Sequence, residues 1–599
     1  MAAGRAAVLL VALLLAGCAG REEDAPARAD ADTRRTIAQG TLVGFTDDHG
    51  AHAWLGIPYA APPVGELRWK APRPPAPWEG EREALRFGAP CPQIGTPLGG
   101  APPRVTGELW GEEDCLFLNV WAPADAGTGE RAVLLWIHGG GNSVGHGGFY
   151  DGGPLAAREG VVVITLNYRL GPLGWFHHPA LAGDGPADAS GNYGTLDLLR
   201  ALAWVREHVA AFGGDPARVT VFGESAGATN LASLLVAPEA RGLFRGGIMQ
   251  SGGTGSVSVA EASHYRDAPE PGLASSSREI VLRLLRRDLG DACDRACARE
   301  RAEGMPAREL AGRLRGLSVR ELFDLYGDSG LLGPDSPAVI RDGAVLPEEP
   351  FLELLADPAR SLAVPMILGS NRDENKIFMA FDPERVQRFL GVPLWRRDPR
   401  RYELVAEYGA RAWKLRGVDD PARQLRAAGV PVWTYRWDWD EEGSFLGIDL
   451  SALLGAAHGL EIPFVFGHWD VGPQSGLLFH DDNAEGRLAL AGDMMGYWAE
   501  FARSLDPGRG HGEAPLWRDF APELGRTHVL LDTGPGGILT DDARTTLPIL
   551  IDDLAGDERV RDDAERCELL ATAFRFSEGR SSEADDALAA ARERFGCAP

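Results

Sequence analysis

The sequence predicts an α/β protein, with a large, mostly parallel sheet covered by helices on both faces. Three observations predict it. Between residues 131 and 250, apolar strand-like runs alternate with helical patterns, the order that builds a parallel sheet. The run RVTVFGESAGATNLAS (218–233) reads as a short buried strand from Val219 to Phe222, one sharp turn, and a helix of small residues. The apolar share, 44% of 599 residues, supplies a core of ordinary proportion.

Residues 1–18 read as a processing segment. Arg5 gives a positive start, and the apolar run from Ala6 to Ala16 is too short to span a bilayer as a mature helix. It ends in Leu15-Ala16-Gly17-Cys18, which resembles a bacterial lipoprotein signal. That implies cleavage before Cys18 and lipidation of its thiol; an ordinary secretory signal cut nearby is the alternative. Residues 19–35 hold Ala, Asp, Glu and Arg without an apolar period and read as a flexible tether. Residues 36–599 read as a single domain. The expected location is the cell envelope: the outer membrane if the cell has two, as Ala19 after the cysteine suggests by resemblance to other lipoproteins, otherwise the outer face of the cell membrane.

The formal net charge of −26 argues against a nucleic-acid partner, which wants a basic face. A well-solvated acidic surface explains the charge, and steering of cationic substrates is the alternative. Seven cysteines leave one odd, which Cys18 supplies. The other six fall as chain neighbours, Cys91 with Cys115, Cys293 with Cys297, Cys567 with Cys597. Export permits disulfides, but spacing alone leaves the connectivity open.

In chain order, a hairpin is expected from Gly40, then Gly56-Ile57-Pro58-Tyr59-Ala60, with prolines crowding residues 58–79 into loop. Arg131 to Ile137 is a buried strand followed by His138-Gly139-Gly140-Gly141. Val161 to Asn167 is a second. Leu198, Leu202, Val205, Val209 and Phe212 recur at helical spacing, so Asn192 to Phe212 contains an amphipathic helix ending at Gly213-Gly214. Gly246 to Gln250 is a strand. Residues 255–345 are charged and helical and read as insertions over the sheet. Val364 to Gly369 and Val432 to Trp437 return to core strands. Asn483 to Ser504 is a long helix, His528 to Asp532 a last strand, and Glu578 to Arg594 a charged surface helix.

Gly223-Glu224-Ser225-Ala226-Gly227 fits the G-x-S-x-G nucleophile elbow, in which a strained turn lifts a serine hydroxyl out of a sheet edge. Seven stretches surround it: GIPYAAPPVGELRW (56–69), EDCLFLNVWAP (113–123), WIHGGGN (136–142), NYRLGPLGW (167–175), the run from Gly191 to Gly227, GSNRDENKIF (369–378) and HGLEIPFVFG (458–467). Together they resemble the type-B carboxylesterases, the cholinesterase-like and para-nitrobenzyl-esterase-like branch of the α/β-hydrolases, over roughly residues 36–535. The resemblance implies the α/β-hydrolase fold with helical insertions over the active site. It also implies ester cleavage through an acyl-enzyme, with Ser225 as nucleophile, Glu374 as acid and His458 as base.

Gly140, Gly141 and Ala226 match the oxyanion-hole positions, each N–H worth about 3 kcal/mol. Glu224 and Glu461 match acidic positions near the triad; either they tune the charge around His458 or they are simply satisfied by buried hydrogen bonds. The resemblance also implies the Cys91–Cys115 and Cys293–Cys297 disulfides, the first worth about 3 kcal/mol. Cys567–Cys597 is inferred by elimination. Asn375 stands where members usually carry Gly, and Asn142 where they carry an aromatic residue. Asp373 sits beside Glu374, and an extended segment would let one of the two face His458.

No metal, nucleotide or redox cofactor is called for: there is no HExxH, Walker loop or dinucleotide fingerprint. The implied partners are a small-molecule ester and, through Cys18, a membrane; the oligomeric state is left open. A catalytically dead adhesion module of the neuroligin type is the rival from another class, but those lack the nucleophile. A lipase, amidase or carbamate hydrolase shares the triad, because the pocket chooses the leaving group.

Overall fold

The computed structural model describes residues 27–597 apart from 128, 184, 291, 328–338, 390–391, 446, 473–474, 513, 525–526, 534–537, 542–544 and 575–581. One eleven-stranded sheet organises them. Its strands are β1 (Phe45–Thr46), β2 (Ala51–Pro58), β3 (Phe117–Pro123), β4 (Arg131–Ile137), β5 (Val162–Leu166), β6 (Gly214–Glu224), β7 (Gly246–Gln250), β8 (Met366–Asn371), β9 (Val432–Trp437), β10 (His528–Leu531) and β11 (Leu539–Asp541). Their spatial order is β11-β10-β9-β8-β7-β6-β4-β5-β3-β2-β1. Neighbours from β5 across to β10 are parallel. The pairs at both edges are antiparallel.

Alternation along each strand divides the core into two layers. Val133, Leu135, Val219, Val221, Met249 and Leu368 face the helices Tyr193–His208 and Ala226–Val236. Leu134, Trp136, Phe222, Ile248 and Ile367 face the helices Gly153–Glu159 and Ala484–Ser504. Each fully buried large apolar side chain contributes about 1.5–3 kcal/mol, so both faces must be covered. The register aligns the strand ends that carry function. Gly223 pairs with Ile137, Glu224 with Gln250, and Gln250 with Gly369. The segments after β4, β6, β7 and β8 therefore leave the sheet along one edge, where open α/β sheets bind ligands.

The fold matches the expected class, with local corrections. The strand at the elbow begins at Gly214, not Val219. The sheet does not end at His528–Leu531; Leu539–Asp541 pairs antiparallel beyond it. The insertions contain helices Ser277–Leu289, Arg295–Gly304, Ala307–Arg315 and Val319–Asp324, packed on Trp69, Phe176 and Tyr193. The tail helix, Ser582–Arg594, is charged but not merely superficial, because Leu588 and Ala591 are buried in a cluster with Leu550 and Leu569. The signal segment with Cys18, and residues 19–26 of the expected tether, lie outside the described residues. The tether's last part is ordered: Ala31–Thr33 form a 3-10 turn capped by Asp30, Thr33 is buried, and Arg35–Ile37 pairs with Gly40–Val43. Thr33 hydrogen bonds to Gly44 across a hairpin that composition could not reveal. Among the described residues three disulfides are present, Cys91–Cys115, Cys293–Cys297 and Cys567–Cys597.

Candidate active site

β6 turns sharply into the helix Ala226–Val236 at Ser225, whose backbone sits at φ 55°, ψ −122°. Such a conformation in a non-glycine residue costs about 1–3 kcal/mol and persists only where its surroundings impose it. They do. The Ser225 N–H donates to Gln250 O at 2.8 Å, and Ser225 O accepts from Thr229 N–H at 3.0 Å. A Cβ on Gly223 would lie 2.7 Å from the Gly227 carbonyl carbon, and one on Gly227 would overlap the Ile137 carbonyl. Both glycines are thus fixed by close approach of main chain to main chain.

The loop after β4 forms the opposite wall. Gly140 and Gly141 take φ 91° and 62°, values that favour glycine. Gly140 O accepts from Ser143 and Val144 N–H, both at 3.0 Å. Among the described residues, the N–H groups of Gly140, Gly141 and Ala226 donate to no protein acceptor. A Cβ on Gly139 would lie 3.0 Å from Ser225 Cβ, so this loop and the elbow touch. His138 beneath it is fully buried and stacks on Tyr168 at 4.5 Å. Burial pushes its pKa down to about 3, which leaves the ring neutral. Asn142 is buried and held by hydrogen bonds. It is 6% exposed, and its side-chain oxygen accepts from Asn230 Nδ2 at 2.8 Å and from the Tyr168 hydroxyl at 3.3 Å.

On the far side, His458 Nδ1 lies 2.6 Å from Glu374 Oε2, and Glu374 Oε1 accepts from Asn371 N–H at 2.8 Å. The other ring nitrogen, Nε2, lies 3.0 Å from Glu224 Oε1. Among the described residues the Ser225 hydroxyl makes no hydrogen bond, so the structure brings Glu374 to His458 but gives the histidine's free edge to Glu224. Burial disfavours the imidazolium, but Glu224 and Glu374 together outweigh it and hold the His458 pKa well above the ordinary value. Glu461 accepts from Asn371 Nδ2 at 2.6 Å and Gln250 Nε2 at 3.1 Å. Burial, reinforced by Glu224, pushes its carboxyl up to about 8, so it is mostly protonated at neutral pH.

Residues 372–375 form a turn rather than the extended segment expected, so strand alternation does not sort the two acids. Ion pairs do. Asp373 binds Arg372 Nη2 at 2.9 Å and Lys376 Nζ at 3.1 Å, and accepts from Ala456 N–H at 3.2 Å. Asn375 takes φ −76°, where no glycine is required. Its amide occupies the space a Cβ on Gly409 would need. Sequence reasoning assigns no role to three neighbours, Phe378 at the end of the 369–378 stretch, Trp413 and Gln250. The rings of Phe378 and Trp413 lie 5.4 and 4.7 Å from that of His458.

Comparisons with known proteins identify the family. The model of the carboxylesterase family matches residues 31–391. A para-nitrobenzyl esterase of Bacillus subtilis (strain 168) is 34% identical over 512 residues, covering 83% of this chain and 94% of that protein. A fumonisin B1 esterase of Sphingopyxis macrogoltabida is 34% identical, over 80% of this chain and 83% of that protein. A solved PNB esterase superposes with TM-score 0.65 at 29% identity, covering 85% of this chain and 97% of its own. A Geobacillus stearothermophilus carboxylesterase gives 0.60 at 31%, covering 85% and 98%.

Proposed function

The chain belongs to the carboxylesterase family, has the α/β-hydrolase fold and is a carboxylic ester hydrolase, and we propose that it works through Ser225, His458 and Glu374. The observation that carries this reading is the 2.6 Å pairing of His458 Nδ1 with Glu374, on the same sheet edge as a serine strained at φ 55°.

A serine hydroxyl is a weak nucleophile, so His458 Nε2 takes its proton as Oγ bonds to the ester carbonyl carbon. That nitrogen rests on Glu224, the residue preceding Ser225, and must pass to the hydroxyl when substrate arrives. The carbonyl oxygen gains the electron pair, and the unpaired N–H groups of Gly140, Gly141 and Ala226 receive it. The tetrahedral intermediate collapses: the C–O bond to the alcohol breaks, and His458 protonates the leaving alkoxide. Water, deprotonated by His458, then attacks the acyl-Ser225 ester, releasing the acid and restoring the serine. Glu374 keeps the Nδ1 proton in place and stabilises the imidazolium.

The protein is proposed to be exported and lipid-anchored at Cys18, supported by Leu15-Ala16-Gly17-Cys18 after an apolar run. Cys18→Ser should release it from membranes or stall its processing; unchanged attachment and maturation would refute the anchor. The catalytic reading is tested with p-nitrophenyl esters of increasing chain length. Ser225→Ala and His458→Ala should each abolish turnover across the series. Retained turnover in either variant would refute it.

A further inference from the structure

The helix Pro399–Lys414 ends against the candidate base, and the turn after it is not α-helical. Trp413, in the helix's last turn, lays its ring 4.7 Å from the His458 ring, inclined at 49°. Its indole N–H donates to Ser251 O at 2.9 Å. Ser251 is fully buried and held at φ 52°. It directly follows Gln250, whose carbonyl accepts the Ser225 N–H. Trp413 is thereby tied to the strand end that braces the nucleophile while its ring covers the base.

The chain then winds through a π-turn, Leu415–Asp419, closed by the Asp420 N–H on Leu415 O. Residues five apart do not face each other on an α-helix, but a π-turn brings them together. Lys414 and Asp419 use that spacing: Lys414 Nζ lies 2.8 Å from both Asp419 oxygens, and both residues are buried. Gly417, between them, seats on Gly252, where a Cβ would overlap the Gly252 carbonyl. A buried ion pair is a poor source of net stability, since desolvation offsets its attraction, and π-turns gather at functional sites.

We infer that Trp413 is a positioning residue for His458, and that the buried Lys414–Asp419 pair fixes the π-turn that presents it. The inference rests on the reading of His458 as the base. When Ser225 attacks, His458 becomes an imidazolium, and the face of a tryptophan attracts a cation. The charged groups facing His458 are Glu224 on its Nε2 side and Glu374 on its Nδ1 side; Glu461, mostly protonated, stands behind them through Asn371. The helix that carries Trp413 contributes the indole against His458, and the ion pair next along the chain, Lys414 with Asp419, neutralises itself. The ring therefore favours the imidazolium without adding a third carboxylate.

The test is the pH profile of kcat/KM, with melting temperatures, for Trp413→Leu, Trp413→Phe and the double variant Lys414→Met/Asp419→Leu, beside His458→Ala. The neutral imidazole is the active form, so activity rises through its pKa. Losing the indole lowers that pKa, so in Trp413→Leu the acid limb moves to lower pH. Its kcat falls roughly ten- to a hundredfold from misplacement of the ring, with KM little changed. Trp413→Phe restores most of both effects. The double variant leaves no orphaned charge, so it folds and reproduces the Trp413→Leu profile. A folded Trp413→Leu with parental limb and kcat overturns the inference, as does a folded double variant with parental kinetics. If His458→Ala keeps its activity, the reading beneath the inference fails; if His458→Ala is inactive and the Trp413 variants are parental, only the inference does.

Discussion

On the Ser225 side of the site, Gly139–Gly141 and Gly223–Gly227 bring main chain into contact with main chain, and the chemistry on offer is a hydroxyl and unpaired N–H groups. On the His458 side, Glu374 and Glu224 flank one imidazole, Asn371 and Gln250 hold a third carboxyl, Glu461, behind it, and two aromatic rings lie against it. The first side is specified by the absence of side chains and the second by which buried charges are paired. The difference teaches where each side is vulnerable. A methyl group damages the first, and the loss of one charge damages the second.

The largest effect is expected where one charge is removed from the histidine. Glu374→Gln should lower kcat by about 10⁴, the scale seen when a triad acid is neutralised, with little change in KM. Asp373→Asn should affect kcat far less. It takes from buried Lys376 one of its two carboxylate partners and leaves Glu403, a loss of about 1–3 kcal/mol that a denaturant melt would read. The reverse ranking in kcat would put the triad acid at Asp373.

On the other side, Gly227→Ala should cost about 1–3 kcal/mol or more, because the added methyl meets the Ile137 carbonyl, which cannot move without β4. A folded Gly227→Ala with parental melting and activity would show the elbow to be less tightly packed than these contacts require.

The smallest effect sharpens the comparison. Glu224 helps hold the His458 pKa above its ordinary value. Its removal lowers that pKa, so the neutral base persists to more acid pH. Glu224→Gln should therefore shift the acid limb of kcat/KM to lower pH. A limb that stays put would mean Glu224 does not set the charge of His458.

The two sides are unequally legible in the sequence. Gly223, Gly227 and the triple glycine stand out because close approach leaves few alternatives to glycine, and the strands around them carry clear apolar runs. β4, β7 and β9 fall where their apolar runs begin and end. The His458 side is legible only in outline. Glu374 and His458 can be named, but their neighbours come from distant segments, and Trp413 lies on a helix whose π-turn has no pattern. Asp373 and Glu374 cannot be separated by strand periodicity, since the segment is a turn sorted by Arg372 and Lys376. The tail helix misleads because its charges outnumber the Leu588 and Ala591 that dock it.

The central claim, that Ser225 is the nucleophile, is tested most directly by covalent labelling. A p-nitrophenyl organophosphate should release one p-nitrophenol per chain, abolish esterase activity, and leave its mass on the peptide carrying Ser225. Ser225→Ala should take no label. Loss of activity with the label on another residue, or with the Ser225 peptide unmodified, would contradict the account.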